Sequence, residues 1–383
     1  MLNIGKKPKT LKTLQIIPAL PKGGAERLVL NICHELTKRE AIELTLITFR
    51  EDNAYPFLTT GINYKVIQAK FVPSLSGKPL KQLDALQEFI NSYQPDIIHS
   101  HLFEAEMVSR QVLYPTATYF THFHDNMHQL RPFSWQVLTN KTYLTEFYEK
   151  YLLQKQYKQC NNHCIAISQD AYQYAQKALK LTSKDVTLLH NAIDLSRFKP
   201  SNESKTKLRL VSIGSLVPKK AHAFLVDVVV HLHQIGIKAE LDILGDGPEK
   251  DAISNRIKEV GLTQSIRLQG NVPYPEEFLQ KADVYIHSAN YEPFGLVLIE
   301  AMACGLPVVC TDGKGNRDLI KEGENGFMVW ERDPKQFAEK VSLLLKEKDL
   351  YASMSKNALA FSQQFGIKEY VDKLLELYKK QSS

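Results

Sequence analysis

Residues Ser288–Cys310 read SANYEPFGLVLIEAMACGLPVVC, and this stretch decides the fold. The apolar run Val284–Ile286 just before it predicts a buried strand. Phe294–Cys304 predicts a helix with Leu296, Ile299 and Ala303 on one face, stopped by Gly305 with Pro307 two residues on. Val308–Cys310 predicts the next strand. Glu292 then lies on the strand-to-helix loop, and Glu300 lies within the helix, roughly two turns further. Between them the amides of Phe294, Gly295 and Leu296 form a helix start, which favours an anion such as a phosphate. A carboxylate beside a phosphate is repelled unless it has hydroxyl donors to bind. A phosphate flanked by two polyols meets that constraint, and that is the shape of a nucleotide sugar. Two glutamates at this spacing, taken alone, also fit an ordinary amphipathic helix with solvated carboxylates.

The same alternation of strand and helix extends outward through both halves, which implies parallel sheets covered by helices on both faces. In the first half the expected strands are Leu14–Ile17, Leu44–Phe49, Asp96–Ser100, Thr118–Phe123, His163–Ile167 and Leu188–His190. The expected helices there are Ala25–Lys38, Leu80–Ser92 and about Leu138–Gln159. In the second half the strands are Leu208–Ile213, Glu240–Leu244, Ile266–Gln269, Val284–Ile286 and Val308–Cys310. The polar stretch Asn191–Lys207, with Pro200 and several serines, reads as a linker. The expectation is an α/β protein of two doubly wound, Rossmann-like domains, 1–195 and 206–365. A C-terminal helix within 366–383 carries an apolar stripe of Leu374, Leu375 and Tyr378.

A chain of 383 residues can build two full cores. No apolar run approaches the ~20 residues a membrane span needs. The N-terminus has lysines but no apolar core with a small-residue cleavage site, so it reads as a basic tail. Five cysteines, an odd number without a CxxC, imply reduced core thiols and a cytoplasmic protein. Residues 1–200 carry 24 Lys and Arg against 17 Asp and Glu, and the remainder carries 24 against 25. That asymmetry fits either plain surface variation or a first half that faces an anionic acceptor or membrane surface.

The embedded stretch EPFGLVLIEAMACGLPVV resembles the E-x7-E signature of retaining GT-B glycosyltransferases of the family 4 type. The resemblance covers nearly the whole chain, weakest over residues 50–95 and 126–160. It implies the GT-B fold, with the C-terminal helix packing back on the N-terminal domain. It further implies that Glu300 holds the ribose diol, that Glu292 sits by the reacting carbon of the donor sugar, and that the amides after Phe294 bind the diphosphate. GGAERLVLNICHEL resembles the first loop and helix of these enzymes, which places Gly23 and Gly24 at the interdomain cleft. His124, in THFHDN, matches the histidine that sits over the donor sugar, and His101 is a second cleft candidate. SIGSLVPKKAH resembles G-R-L-x-x-x-K-G, so Lys220 would neutralise the departing diphosphate. Ser215 stands where the family carries an arginine; either Lys314 or Arg317 supplies the missing cation with Lys220, or both point to solvent and Lys220 with the helix amides suffices. Gly245 and Gly247 of GDGP, and Val272 of GNV, would line the nucleotide pocket. Asp318 replaces the family's usual glutamate.

Histidines 99, 101, 122 and 124 alternate along two expected strands, so a metal site has to be weighed. No carboxylate or cysteine pattern completes one, and there is no DxD, so no metal and no cofactor are expected. The implied activity is transfer of a sugar, with retention, from a nucleoside-diphosphate sugar to a glycan or lipid-linked acceptor. By family frequency the setting is envelope, capsular or lipopolysaccharide assembly. An ion-pair route assisted by the leaving phosphate is the family expectation, and a covalent intermediate on Glu292 is the other route. The aromatics and cations of Arg131–Cys160 fit peripheral contact with the inner face of a membrane, or packing of a long helix on its own sheet. Nucleic acid is not an expected partner. Two rivals share the fold: a nucleotide-sugar epimerase, which needs further acid/base carboxylates, and a non-catalytic module that binds sugar nucleotides.

Overall fold

The computed structural model describes residues 10–74, 78–201 and 208–382. The expected basic tail up to residue 9 and the linker's last six residues, 202–207, lie outside the described residues. The chain divides into two compact units, Met1–Asn191 joined by Ile367–Ser383, and Ala192–Gly366.

In the first unit the strands are β1 (Leu11–Ile16), β2 (Ile42–Thr48), β3 (Tyr64–Val66), β4 (Lys70–Val72), β5 (Leu80–Gln82), β6 (Ile97–His101), β7 (Thr118–Phe123), β8 (Asn161–Ala166) and β9 (Val186–Leu188). Seven of them form one sheet in the order β3-β2-β1-β6-β7-β8-β9, paired in parallel throughout. The winding reverses between β1 and β6, the position at which an open parallel sheet leaves a crevice beyond its C-terminal strand ends. β6 and β7 are buried along their whole length, which is why they read as continuous non-alternating runs. Leu14, Ile16, Ile47, Ile98 and Tyr119 form part of the core together with Leu86 and Ile90 of the helix Asp84–Tyr93.

That helix starts four residues later than the expected Leu80–Ser92. Leu80–Gln82 instead pairs antiparallel with Lys70–Val72 in a separate two-stranded ribbon. The local pattern of residues 80–92 carries no trace of a partner ten residues upstream, so pairing overrides the helical period there. The terminal helix Ile367–Gln381 belongs to this unit: it packs on the helix Gly24–Thr37 and buries Tyr370, Val371, Leu374, Leu375 and Tyr378.

The second unit holds β10 (Leu208–Ile213), β11 (Ala239–Leu244), β12 (Ile266–Gly270), β13 (Val284–His287), β14 (Val308–Thr311) and β15 (Gly326–Val329). They form one parallel sheet in the order β12-β11-β10-β13-β14-β15, with the reversal between β10 and β13. β15 is an element that the sequence reading passed over. Its core joins Leu210, Leu241, Val284 and Val309 to Leu225, Val229 and Phe337 of the covering helices. All five cysteines are free thiols. No helix among the described residues is long and apolar enough to cross a membrane.

Candidate active site

The loops that leave β10 and β13 flank the reversal in the second sheet, and they are stitched together. Asn290 N donates to the Lys219 carbonyl at 2.8 Å, and Ser288 Oγ donates to the Lys220 carbonyl at 2.9 Å. The loop after β14 closes over the other side. Glu292 N donates to the Gly313 carbonyl at 2.8 Å, and Gly315 N donates to the Glu292 carbonyl at 3.0 Å. A Cβ at Gly315 would stand 1.9 Å from the Pro293 carbonyl oxygen, so only glycine admits this approach. Asn316, fully buried, staples the same turn by accepting from Gly313 N and donating to the Thr311 carbonyl.

The Glu292 side chain is thereby held buried, 9% exposed. Its Oε2 receives Lys220 Nζ at 2.5 Å and lies 2.9 Å from His287 Nε2. Burial pushes the carboxyl up, but the Lys220 ammonium and the His287 contacts outweigh it and hold it at about 2. Burial keeps the His287 imidazole below its ordinary value despite the neighbouring carboxylate. The result is a carboxylate that stays ionised well below the usual carboxylate range, in contact with the Lys220 ammonium.

The helix that follows runs Leu296–Ala303, with Gly295 as its N-cap at φ 106°. Phe294 is not a surface residue of that start: it is fully buried against the ring of Phe365 and anchors the turn. Glu300 is half-buried on the helix. Burial raises its carboxyl to about 7, with Arg197 opposing the rise and Glu276 adding to it. Arg197 itself holds both Glu276 oxygens at 2.9 and 3.0 Å.

Gly245 lets the β11 loop lie against the β10 loop, because a Cβ there would stand 2.0 Å from the Gly214 carbonyl oxygen. Gly247 makes the same kind of approach to Leu216. Val272 is half-buried beyond β12, and Ser215 is exposed on the β10 loop. Lys314 and Arg317 are both exposed. Arg317 holds Asp312 through two contacts of 2.8 and 2.5 Å and lies over the Trp330 ring. Its charge is therefore already matched. Two residues escaped the sequence reading. His287, the last residue of β13, was legible as the position just before the loop. Arg332 Nη1, which donates to the Ser288 carbonyl at 2.9 Å, follows the strand that was not foreseen.

In the first unit Gly23 caps the helix Gly24–Thr37, and its N–H donates to the Tyr55 hydroxyl at 3.0 Å. The Glu26 carboxylate folds back over Gly23, 2.1 Å from where a Cβ would be. On β6 and β7 His99, His101 and His122 are buried, as is His124 just past the end of β7, with His101 directly beside His122 in register. Their rings stack, 4.3 Å between His99 and His101 and again between His122 and His124. Nitrogens of His99, His101 and His122 all lie within 4.8 Å of one another, close enough for the three to be weighed as ligands of one ion. Against that, both nitrogens of His101 are hydrogen-bonded, to Gln15 and to His124.

Residues 195–361 match the family model for glycosyl transferases group 1, and residues 22–197 match that for glycosyltransferase family 4. The chain is a group 1, family 4 type glycosyltransferase. It is 24% identical over 319 residues to the putative glycosyltransferase EpsF of Bacillus subtilis, covering 79% of each chain. It is 25% identical over 333 residues to a Campylobacter jejuni N-acetylgalactosaminyltransferase, covering 82% of this chain and 84% of that one. That enzyme is named for an N-acetylgalactosamine-N,N'-diacetylbacillosaminyl-diphospho-undecaprenol acceptor. Anabaena HepE in complex with UDP superposes with a TM-score of 0.80 at 21% identity, over 97% of this chain and 100% of that one. The same protein in complex with UDP-glucose gives 0.77. The architecture of this glycosyltransferase is the GT-B fold.

Proposed function

We propose that this glycosyltransferase moves a sugar, with retention, from a nucleoside-diphosphate sugar to a glycan or lipid-linked acceptor in envelope or capsular polysaccharide assembly. The observation that carries the reading is the buried Glu292–Lys220 pair at the strand reversal, one turn from a helix N-terminus. An ionised carboxylate offers acceptors to sugar hydroxyls, while Lys220 and the amides after Phe294 stand ready for phosphate oxygens. In this scheme Glu292 acts at the reacting sugar, Glu300 accepts from the ribose diol, and Lys220 offsets charge as the diphosphate leaves. Gly245, Gly247 and Val272 border the nucleotide. No metal enters the scheme, in which Lys220 and the amides after Phe294 offset the phosphate charge. The UDP and UDP-glucose complexes of HepE and the lipid-diphosphate acceptor of the Campylobacter enzyme support the donor and acceptor classes. Purified protein incubated with labelled nucleotide sugars and a lipid-diphosphate glycan should yield product whose anomeric proton reports retention. An inverted product, an epimerised donor, or binding without transfer would overturn the reading.

We also propose that the first unit docks on an anionic bilayer. Phe133, Trp135, Leu138, Phe147 and Tyr151 are all exposed, Trp135 by 78%. Phe147, Tyr151 and the exposed Lys155 follow at four-residue spacing along the helix Lys141–Tyr157. Aromatics beside cations suit an anionic headgroup layer. Sedimentation with phosphatidylglycerol vesicles should be strong in the parent and weak in Trp135→Ser/Lys155→Glu. Equal sedimentation of both would refute the docking surface.

A further inference from the structure

We propose that His287 is a positioning residue for Glu292: from the buried side it gives the carboxylate an N–H that the nucleotide sugar cannot take, so that Glu292 stays ionised and held by Oε2 while Lys220 is shared with the diphosphate. The proposal rests on the reading that Glu292 acts at the reacting sugar and that Lys220 meets the diphosphate. His287 closes β13, where it pairs in register with Cys310 of β14. Its side chain is 2% exposed, and its ring stacks on that of Tyr285 with centroids 6.1 Å apart. A ring gripped in this way on a sheet strand is a more rigid support than the loop that carries Glu292. His287 Nε2 lies 2.9 Å from Glu292 Oε2, and no other acceptor among the described residues engages it.

Charge fixes the sense of this contact. An ionised carboxylate has no proton to give, and Lys220 Nζ, which meets the same Oε2 at 2.5 Å, only donates. A lone pair on Nε2 would set two acceptors against each other in a buried site, at the full cost of an unmet polar group. Burial keeps the ring neutral, so it has one N–H, and that N–H is on Nε2. Nδ1, 3.4 Å from the Tyr285 hydroxyl, keeps the lone pair. Both contacts to Glu292 fall on Oε2, and none among the described residues falls on Oε1. Oε1 is therefore the oxygen left for a sugar hydroxyl.

The two partners of Glu292 differ in what can reach them. The Lys220 side chain is 16% exposed, so an arriving diphosphate can bind it. That anion brings negative charge to a cation already matched by Glu292, and it repels the carboxylate as well. Both effects favour a proton on Glu292. His287 lies on the side that the ligand does not reach, so its hydrogen bond is kept and carries more of the carboxylate as Lys220 is drawn off. The other titratable groups around the pair stay out of this exchange. Burial pushes His222, Tyr285 and Cys310 towards their neutral forms, and Asp312 on the loop after β14 is matched by Arg317. Lys314 on that loop is exposed. Glu300, on the following helix, titrates near 7 and acts on nucleotide-sugar affinity, so its effect drops out of turnover at saturation.

The test uses the full chain and the nucleotide sugar that the parent turns over. His287→Leu should lower kcat at saturation by about ten- to a hundredfold, one charge-assisted hydrogen bond's worth, with Kd for the nucleotide sugar within about twofold of the parent. The loss should deepen as the pH falls from 8 to 5, because a carboxyl without its N–H partner takes up a proton at higher pH. A packing defect would lower kcat alike at every pH. His287→Gln, whose amide nitrogen can take the place of Nε2, should restore most of the rate and level the profile. Should His287→Leu not fold, His287→Phe keeps a ring and lacks the N–H. Carbon-13 spectra of glutamate-labelled protein follow the Glu292 carboxyl itself. Its proton uptake should move up by about one pH unit or more in His287→Leu, and further with UDP added. An unchanged Glu292 titration, or a kcat loss that is uniform in pH and not rescued by Gln, would overturn the proposal. If the parent turns over no nucleotide sugar, the proposed function fails, while the titration of the unliganded protein still decides whether His287 holds Glu292.

Discussion

Replacing Lys220 with methionine should be among the more damaging single changes in the second unit, and its cost can be worked from the site. Glu292 is held at about 2 against an ordinary carboxyl value of 4.5. That difference of ~2.5 pH units at ~1.36 kcal/mol each corresponds to ~3 kcal/mol of folding stability. Because the folded value lies below the unfolded one, this stabilisation is complete above about pH 4.5 and fades as the pH falls towards 2. Lys220→Met keeps the packing of the stem but strands a buried carboxylate, so at pH 7 the loss should be ~3 kcal/mol. For a unit of this size that is a fall in melting temperature of ~6–12 °C. Glu292→Gln should lose less, since Lys220, whose side chain is 16% exposed, can turn to water. Scanning calorimetry of the full chain at pH 7 and pH 4 gives the test. The gap between Lys220→Met and the parent should narrow at pH 4, where the stranded carboxyl can protonate. A gap below ~1 kcal/mol at pH 7, or one that is the same at both pH values, would refute the reasoning.

Donor affinity should rise as the pH goes from 6 to 8, because Glu300 sits near 7 and only its ionised form accepts twice from a diol; titration calorimetry of Glu300→Gln should show a flat profile and weaker binding. Glu292→Gln should lower kcat by more than a hundredfold with little change in donor Kd, and near-parental turnover would contradict its placement at the reacting sugar. The row of neutral buried histidines should make the first unit acid-labile: their folded values lie below the ordinary 6.5, so stability is full above that pH and lost beneath it, and His122→Phe should flatten chemical-denaturation midpoints between pH 7 and 5. Gly315→Ala should cost ~1–3 kcal/mol and weaken donor binding, since the new methyl meets a backbone carbonyl that cannot yield without moving Glu292; an unchanged melting temperature would argue against that loop fit. Transfer should survive EDTA, and loss restored by magnesium or manganese would contradict the metal-free scheme.

What the sequence made legible was whatever local periodicity writes down. Most strands of both sheets, the loop position of Glu292 and the helical position of Glu300 follow from runs of a few residues. Partners separated by long stretches of chain leave no such trace. Gln15 reads as one polar letter in an apolar strand, and its meaning depends on Tyr378, 363 positions away. Lys220 was found by its motif, yet its pairing with Glu292 across 72 residues was not. Arg317 looked like a spare cation although Asp312, which matches it, lies five residues away in the same loop; its contact with Trp330 arises only when β14 and β15 are side by side. The ribbon of β4 and β5 was misread for the same reason.

The terminal helix carries a consequence for how the molecule comes into being. Ile367–Gln381 supplies buried side chains to the first unit, yet residues 192–366 must be synthesised before it exists. At ~5–20 residues per second the ribosome needs ~9–35 s to cross that interval. By its end the second unit has all its own strands and can close, while the earlier-made unit still waits with the Tyr378 position vacant and its histidine row uncovered. The order of emergence is thus opposite to the order of completion. A nascent chain arrested before residue 367 is the form in which proteases and chaperones would meet an unfinished N-terminal core.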